Sequence, residues 1–253
     1  GLSDRAFFGQ VAQRLVDMPQ PFCALLITLS LHHPFERFPD RHKVLDVGRH
    51  AGTPFGNYLH TMHFFDSAFA VMMAELGAAG VLERTVVVVW GDHDAGLGWE
   101  QGTAAAIGTR WHEPDWYLTE RVPLVVRVPG RADLVGKRPV MAGQADVPPT
   151  LLALLGVDPG NFAFVGRNLL GEPGSAPVAG AYGSHIDDWF LFVPRGRTVA
   201  EGRCYEMAGL EQVAADSCRA GHEHAKRMRE VSRSVLEHDL QQRLHGLLEG
   251  GER

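Results

Sequence analysis

Three cysteines in 253 residues are too few to build a disulfide scaffold. No apolar run approaches the roughly 18 residues that a membrane-spanning helix needs. Basic charge is short as well: 24 Lys and Arg against 30 Asp and Glu leave a net charge of −6. That balance argues against a general nucleic-acid binder, which carries a basic face. The first residues show no signal peptide, and there are no repeats or low-complexity tracts. Gly1 opens almost directly onto a helical pattern with no initiator Met, so the chain is expected to be a piece of a longer protein. What is present, 45% hydrophobic and 21% charged residues, is ordinary globular composition, enough for one large core or one and a half domains.

Residues 85–96 organise the rest. Four valines, Val86 to Val89, are too apolar and too β-branched for a surface element and predict a strand buried on both faces, as in a parallel sheet. Ligands of open α/β sheets bind at the carboxyl ends of the strands, and this end carries Gly91, Asp92 and His93. Neighbouring strand residues point to opposite faces, so Asp92 and His93 meet only if the chain turns just after Trp90, where Gly91 has no Cβ to obstruct it. A carboxylate and an imidazole together suit Mn²⁺ or Zn²⁺ better than Ca²⁺. The competing reading is an ordinary polar loop, since all three residue types are frequent in loops.

Ahead of that strand, Ser3 caps a helix expected over residues 4–18, with Phe8, Val11, Ala12, Leu15 and Val16 at helical spacing and Pro19 and Pro21 ending it. Residues 22–30 predict a second apolar strand, which runs into Leu31, His32, His33 and Pro34. An imidazole there suits an anionic substrate or a metal, and equally a solvated strand end. Residues 36–56 read as a surface loop. The stripe Tyr58, Met62, Phe65, Phe69, Met72 and Leu76 predicts a helix over residues 57–76 lying on the sheet, with Asp66 beside it as a polar anchor. Strand, helix and strand then form a unit that should cross over to a parallel neighbour.

Beyond the Asp-His turn, Trp99, Trp111 and Trp116 punctuate an irregular stretch over residues 97–120, either as a lid or as packing. Residues 122–128 predict a strand, residues 144–155 lead into a short helix closed by Gly156, and residues 179–183, 189–193 and 203–207 predict the strands of a small meander. A terminal helix is expected over residues 223–248, with Met228, Val231, Val235 and Leu240 as its apolar stripe. Cys23 reads as a buried strand thiol. Cys204 and Cys218 are separated by a loop-sized interval in a polar region and are expected to form a disulfide, which implies an oxidising compartment, the alternative being two unrelated thiols.

In this order the motifs resemble the sulfatase-like branch of the alkaline phosphatase superfamily, and within it the lipoteichoic acid synthase and phosphoglycerol transferase families. The matching text is Ile27-Thr28-Leu29-Ser30 with His32 and Pro34-Phe35, Asn57-Tyr58 through Asp66, residues 85–93, Val122-Pro123-Leu124 to Pro129-Gly130, Asp146 to Gly156, and residues 236–240 of the terminal helix. The resemblance implies an alkaline-phosphatase-like three-layer α/β/α fold with a mainly parallel sheet, followed by a small carboxyl-terminal β-meander and helix. Residues 1–173 would be the carboxyl-terminal part of the catalytic domain and residues 174–253 a small subdomain.

By the same resemblance Asp92 and His93 match paired metal ligands. The divalent ion expected is Mn²⁺, with Mg²⁺, Ca²⁺ or Zn²⁺ as alternatives. His32 matches a catalytic histidine that contacts the phosphoglycerol group, and His33 beside it, where the family has an aromatic residue, is a further substrate-binding candidate. Leu97 stands where those synthases can offer a serine. The implied reaction is phosphoglycerol transfer from a phosphatidylglycerol-type lipid headgroup through a covalent intermediate. The nucleophile and an acidic metal ligand precede the segment seen here, so the piece alone is expected to be inactive and to need the amino-terminal part of the same protein. An extracytoplasmic location is implied, the parent being anchored by amino-terminal transmembrane helices. Two rivals stand beside this reading: a sulfatase on the same scaffold, acting on sulfate esters, and a non-catalytic domain that binds an anionic headgroup or glycan.

Overall fold

The computed structural model describes residues 2–99, 101–171, 176–241, 243–244 and 246. The chain divides into two compact units, Gly1–Val135 and Gly136–Arg253. The expected domain boundary between residues 173 and 174 lies outside the described residues.

In the first unit, helix α1 (Asp4–Asp17) is capped by the Ser3 hydroxyl, which accepts from the Ala6 N–H at 3.4 Å. Its Phe8, Ala12 and Leu15, spaced for one helix face, pack on Ala68, Met72 and Leu76 of α2 (Pro54–Ala78) and on Val81. Phe8 meets Phe65 and Phe69 edge-on, each at 5.9 Å. Thr53 caps α2, and Pro54 fits its first turn because that N–H has no helical partner to lose. Asp66 lies on the exposed side of α2, so it anchors nothing in this core. The expected loop over residues 36–56 winds through three single 3₁₀ turns, Phe35–Arg37, Asp40–His42 and Gly48–His50.

The valine strand β1 (Val87–Trp90) pairs antiparallel with β2 (Leu124–Arg127), Val88 opposite Val126. It is half-buried, and β2 is largely exposed. Residues 22–30 form no strand ladder among the described residues. From Leu25 to Ser30 their exposure nonetheless alternates with the period of an extended chain: Leu26, like Phe22 before it, packs on the α1–α2 core, whereas Leu25, Ile27 and Leu29 are 69%, 70% and 58% exposed. Cys23 shares the outward phase, and its thiol is exposed where a buried one was expected. Between the two strands lie α3 (Gln101–Ala106) and α4 (Glu113–Thr119), so the stretch expected to be irregular is partly helical.

The second unit opens with α5 (Val147–Leu154) and closes with α6 (Arg219–Glu237). Between them runs an antiparallel five-stranded meander, β3 (Val178–Ala179), β4 (His185–Ile186), β5 (Phe190–Val193), β6 (Arg203–Glu206) and β7 (Gln212–Val213), with neighbours in chain order. Cys204 and Cys218 are joined in a disulfide packed with Phe192 and Val199, and Leu191, Val193 and Tyr205 fill the opposite face of the sheet. Val231 of α6 is half exposed, and the end of the expected helix at Leu248 lies outside the described residues.

Candidate functional site

The site grows from the carboxyl end of β1. The Gly91 N–H donates to the Pro123 carbonyl at 3.2 Å, which holds the chain against the start of β2. A Cβ on Gly91 would stand 2.7 Å from the Val122 Cβ, so the position needs glycine for close approach rather than for an unusual backbone angle. The next two residues bend toward each other: Asp92 Oδ1 and His93 Nε2 are 3.8 Å apart, with the two side chains 80% and 50% exposed.

One residue on, Asp94 shapes the loop. Its Oδ1 accepts the Gly96 N–H at 2.6 Å, and its carbonyl takes a hydrogen bond from His93 Nδ1 at 2.7 Å. A carbonyl only accepts, so His93 carries its proton on Nδ1 and presents the Nε2 lone pair, the arrangement common to metal-ligating histidines. Asp94 was not singled out from the sequence, although an Asp two residues before a Gly is the signature of an Asx turn. At the end of α4, burial first and the Asp94 carboxylate second push the Glu120 carboxyl up, against a hydrogen bond from Trp116 that pulls it down.

His32 and His33, sixty residues earlier in the chain, meet the same place. Their rings stack at 4.8 Å between centroids, and the His32 ring stands edge-on to His93 at 5.4 Å. His32 Nδ1 donates to the His33 carbonyl at 2.6 Å, again leaving Nε2 as the available nitrogen. Both histidines are exposed, and the chain then turns inward at Phe35, which is buried edge-on to Tyr58 at 5.3 Å. Of the three tryptophans, Trp116 is buried in α4, while Trp99 and Trp111 are exposed and meet edge-on at 6.3 Å.

Two donors bound to one Zn²⁺-sized ion at about 2.0–2.2 Å each lie about 3–3.5 Å apart, so Asp92 and His93 reach a shared ion with a small swing. They fit a divalent cation as one part of its shell. Among the described residues no set of three or more His, Cys, Asp or Glu side chains gathers to hold a metal, and four or more donors are needed to complete one. No helix of the described residues is long and apolar enough to cross a membrane.

The chain is similar to lipoteichoic acid synthase-like YvgJ of Bacillus subtilis, 29% identical over 245 residues that cover 95% of this chain and 38% of that protein. It is 30% identical to lipoteichoic acid synthase 1 of the same organism over 188 residues, 74% of this chain and 29% of that protein. The lipoteichoic acid synthase of Staphylococcus aureus is 24% identical over 244 residues, 95% of this chain and 36% of that protein. The chain therefore spans about a third of the length of these curated relatives. In fold it matches the crystal structure of the lipoteichoic acid synthase LtaP from Listeria monocytogenes with a TM-score of 0.77 at 23% identity, over 93% of this chain and 59% of that one. That likeness fixes the architecture as α/β of the alkaline-phosphatase kind. The Sulfatase family profile matches residues 1–157, more than half of the chain, and the chain belongs to the sulfatase family.

Proposed function

We propose that this chain is the carboxyl-terminal part of a metal-dependent phosphoglycerol transferase that acts on a phosphatidylglycerol-type lipid headgroup. The observation that carries the reading is the meeting of His32, which follows the extended residues 22–30, with His93 of the Asp92–His93 pair at the end of β1, both rings pinned through Nδ1 to carbonyl oxygens. Asp92 and His93 would hold one side of a divalent ion, Mn²⁺ by preference and Mg²⁺, Ca²⁺ or Zn²⁺ as alternatives; when bound, the ion neutralises charge developing on phosphoryl oxygens. His32, with Nδ1 donating to the His33 carbonyl, orients or protonates an ester oxygen from Nε2 in the form that carries a proton on both ring nitrogens, which is worth about 10²-fold if it acts as a general acid or base. His33, stacked on it, lends a second imidazole to the anionic headgroup. The nucleophile and the remaining ligands belong to the amino-terminal part of the same protein, so this chain alone is inactive.

The apolar residues Leu25, Ile27 and Leu29, exposed in alternation, support a role for that other part in covering this flank. On this reading residues 1–173 belong to the catalytic domain and residues 174–253 to a subdomain. The disulfide supports an extracytoplasmic site of action, and the parent is anchored through amino-terminal helices. The test is Asp92→Ala and His93→Ala in the full protein, with phosphatidylglycerol vesicles as donor. Transfer should fall at least about 10²-fold together with metal content; undiminished transfer and metal content would overturn the assignment. The sulfatase family match also favours a second reading, a sulfuric ester hydrolase, which turnover of aryl sulfates without phosphoglycerol transfer would establish.

A further inference from the structure

Of the buried acids Asp4, Glu113 and Asp146, Asp4 is the most deeply buried. Asp4, the first residue of α1, is only 1% exposed. Ser3 already caps the helix, so Asp4 is not needed for that purpose. Its carboxylate faces the far end of residues 22–30 instead: Oδ1 accepts the Leu29 N–H at 3.1 Å and the Ser30 N–H at 3.0 Å, and the Asp4 N–H donates to Ser30 Oγ at 2.9 Å. These three bonds join positions 25 and 26 residues apart in sequence.

The clamp lies one turn from the chemistry. Leu29, whose N–H is held by Asp4, uses its carbonyl to accept the His32 N–H at 3.1 Å. Two hydrogen bonds in series therefore run from the Asp4 carboxylate to the backbone of His32, whose ring meets His93 at 5.4 Å. Residues 22–30 have no strand ladder among the described residues to fix their register, so the hold on their carboxyl end falls to this clamp. A second feature agrees: Asp4 Oδ2 is buried without a hydrogen-bond partner among the described residues, a placement that costs stability and that a residue serving stability alone would avoid.

We infer that Asp4 is a positioning residue for the transfer reaction, fixing through Leu29 and Ser30 where the His32 imidazole stands; this rests on the reading of His32 given above. The test is a double-mutant cycle in the full protein with phosphatidylglycerol vesicles as donor. Asp4→Ala should lower kcat about 10²-fold, the scale of a misplacement of about 1 Å, with KM changed less than about threefold. Asp4→Asn, which keeps an oxygen in the Oδ1 place, should restore kcat to within about threefold of the parent. In a His32→Ala background Asp4→Ala should cost nothing further, because the group it positions is gone. A loss that multiplies with that of His32→Ala, or an Asn variant as impaired as the Ala variant, would overturn the inference. If Asp4→Ala does not fold, Ser30→Ala carries the same cycle: a loss of about threefold to tenfold that vanishes in the His32→Ala background supports it, and one that persists sinks it. The two readings fail separately, since a His32→Ala variant with full activity refutes the role of His32 itself.

Discussion

Histidine does opposite jobs at the candidate site of the first unit and in the core of the second. At the first, His32, His33 and His93 are open to solvent, and the rings of His32 and His93 are pinned through Nδ1 by carbonyl oxygens of their own loops. In the second, His185 is 2% exposed and stacks on Phe192 at 5.9 Å, while the buried His222 donates from Nδ1 to the Gly183 carbonyl at 2.9 Å. Neither ring nitrogen of His185 has a hydrogen-bond partner among the described residues, and Asp187 Oδ2 stands 3.9 Å away. The first arrangement leaves imidazole available for chemistry at little cost to folding, because water solvates whatever charge it carries. The second turns the same side chain into a core element whose charge the fold does not tolerate.

The sharpest way to break that contrast is to crowd the buried histidine. A Cβ at Gly221, in the first turn of α6, would lie 2.1 Å from His185 Nε2, far inside contact distance. Gly221→Ala should destabilise the second unit by about 3 kcal/mol or more, read as a lower midpoint in urea unfolding. A variant with the parental midpoint would show that His185 has room to move.

A somewhat smaller effect follows from protonation. Burial, with help from His222 and His224, pushes His185 down to about 4 against the opposing pull of Asp187. The unfolded chain takes up this proton near pH 6.5 and the folded one only near pH 4, so the unfolded state binds more protons between those values. Stability is then full above about pH 6.5, falls as the pH drops through the window, and levels off below it. The loss should approach about 3 kcal/mol, and His185→Phe should flatten that part of the stability curve. An unchanged curve in the variant would assign the acid sensitivity elsewhere.

The smallest expected effect sharpens the comparison from the other side. Asp92→Ala and His93→Ala remove exposed side chains, so the stability of the metal-free chain should shift by no more than about 0.5 kcal/mol. A large loss in thermal unfolding would mean that the strand end is held together by the same residues proposed to hold the ion.

Much of this was legible in the sequence where a pattern repeats. The stripes of α1 and α2 supplied Phe8, Ala12, Leu15, Met72 and Leu76 to the core, although Val16 is exposed and Tyr58, Met62, Phe65 and Phe69 are only partly buried, and the break after Trp90 located the turn that brings Asp92 to His93. Periodicity, however, reports which side chains seek burial and not what covers them. The valine strand and residues 22–30 both read as buried strands, yet one is half-covered and the other unladdered, and Cys23 followed its neighbours outward. Asp4 was hidden because Ser3 beside it already explained the helix start, and its partners lie 25 and 26 residues away. His185 belonged to no motif: its burial is produced by α6 and β5 closing over it, which no local spacing records.

The alternation along residues 25–30 has a practical consequence. A stretch with Leu25, Ile27 and Leu29 turned to solvent and no neighbouring strand among the described residues is a template on which another copy can zip up, edge against edge. Prepared by itself at high concentration, this polypeptide is expected to self-associate along that stretch, and a charged substitution at Ile27 should reduce the association.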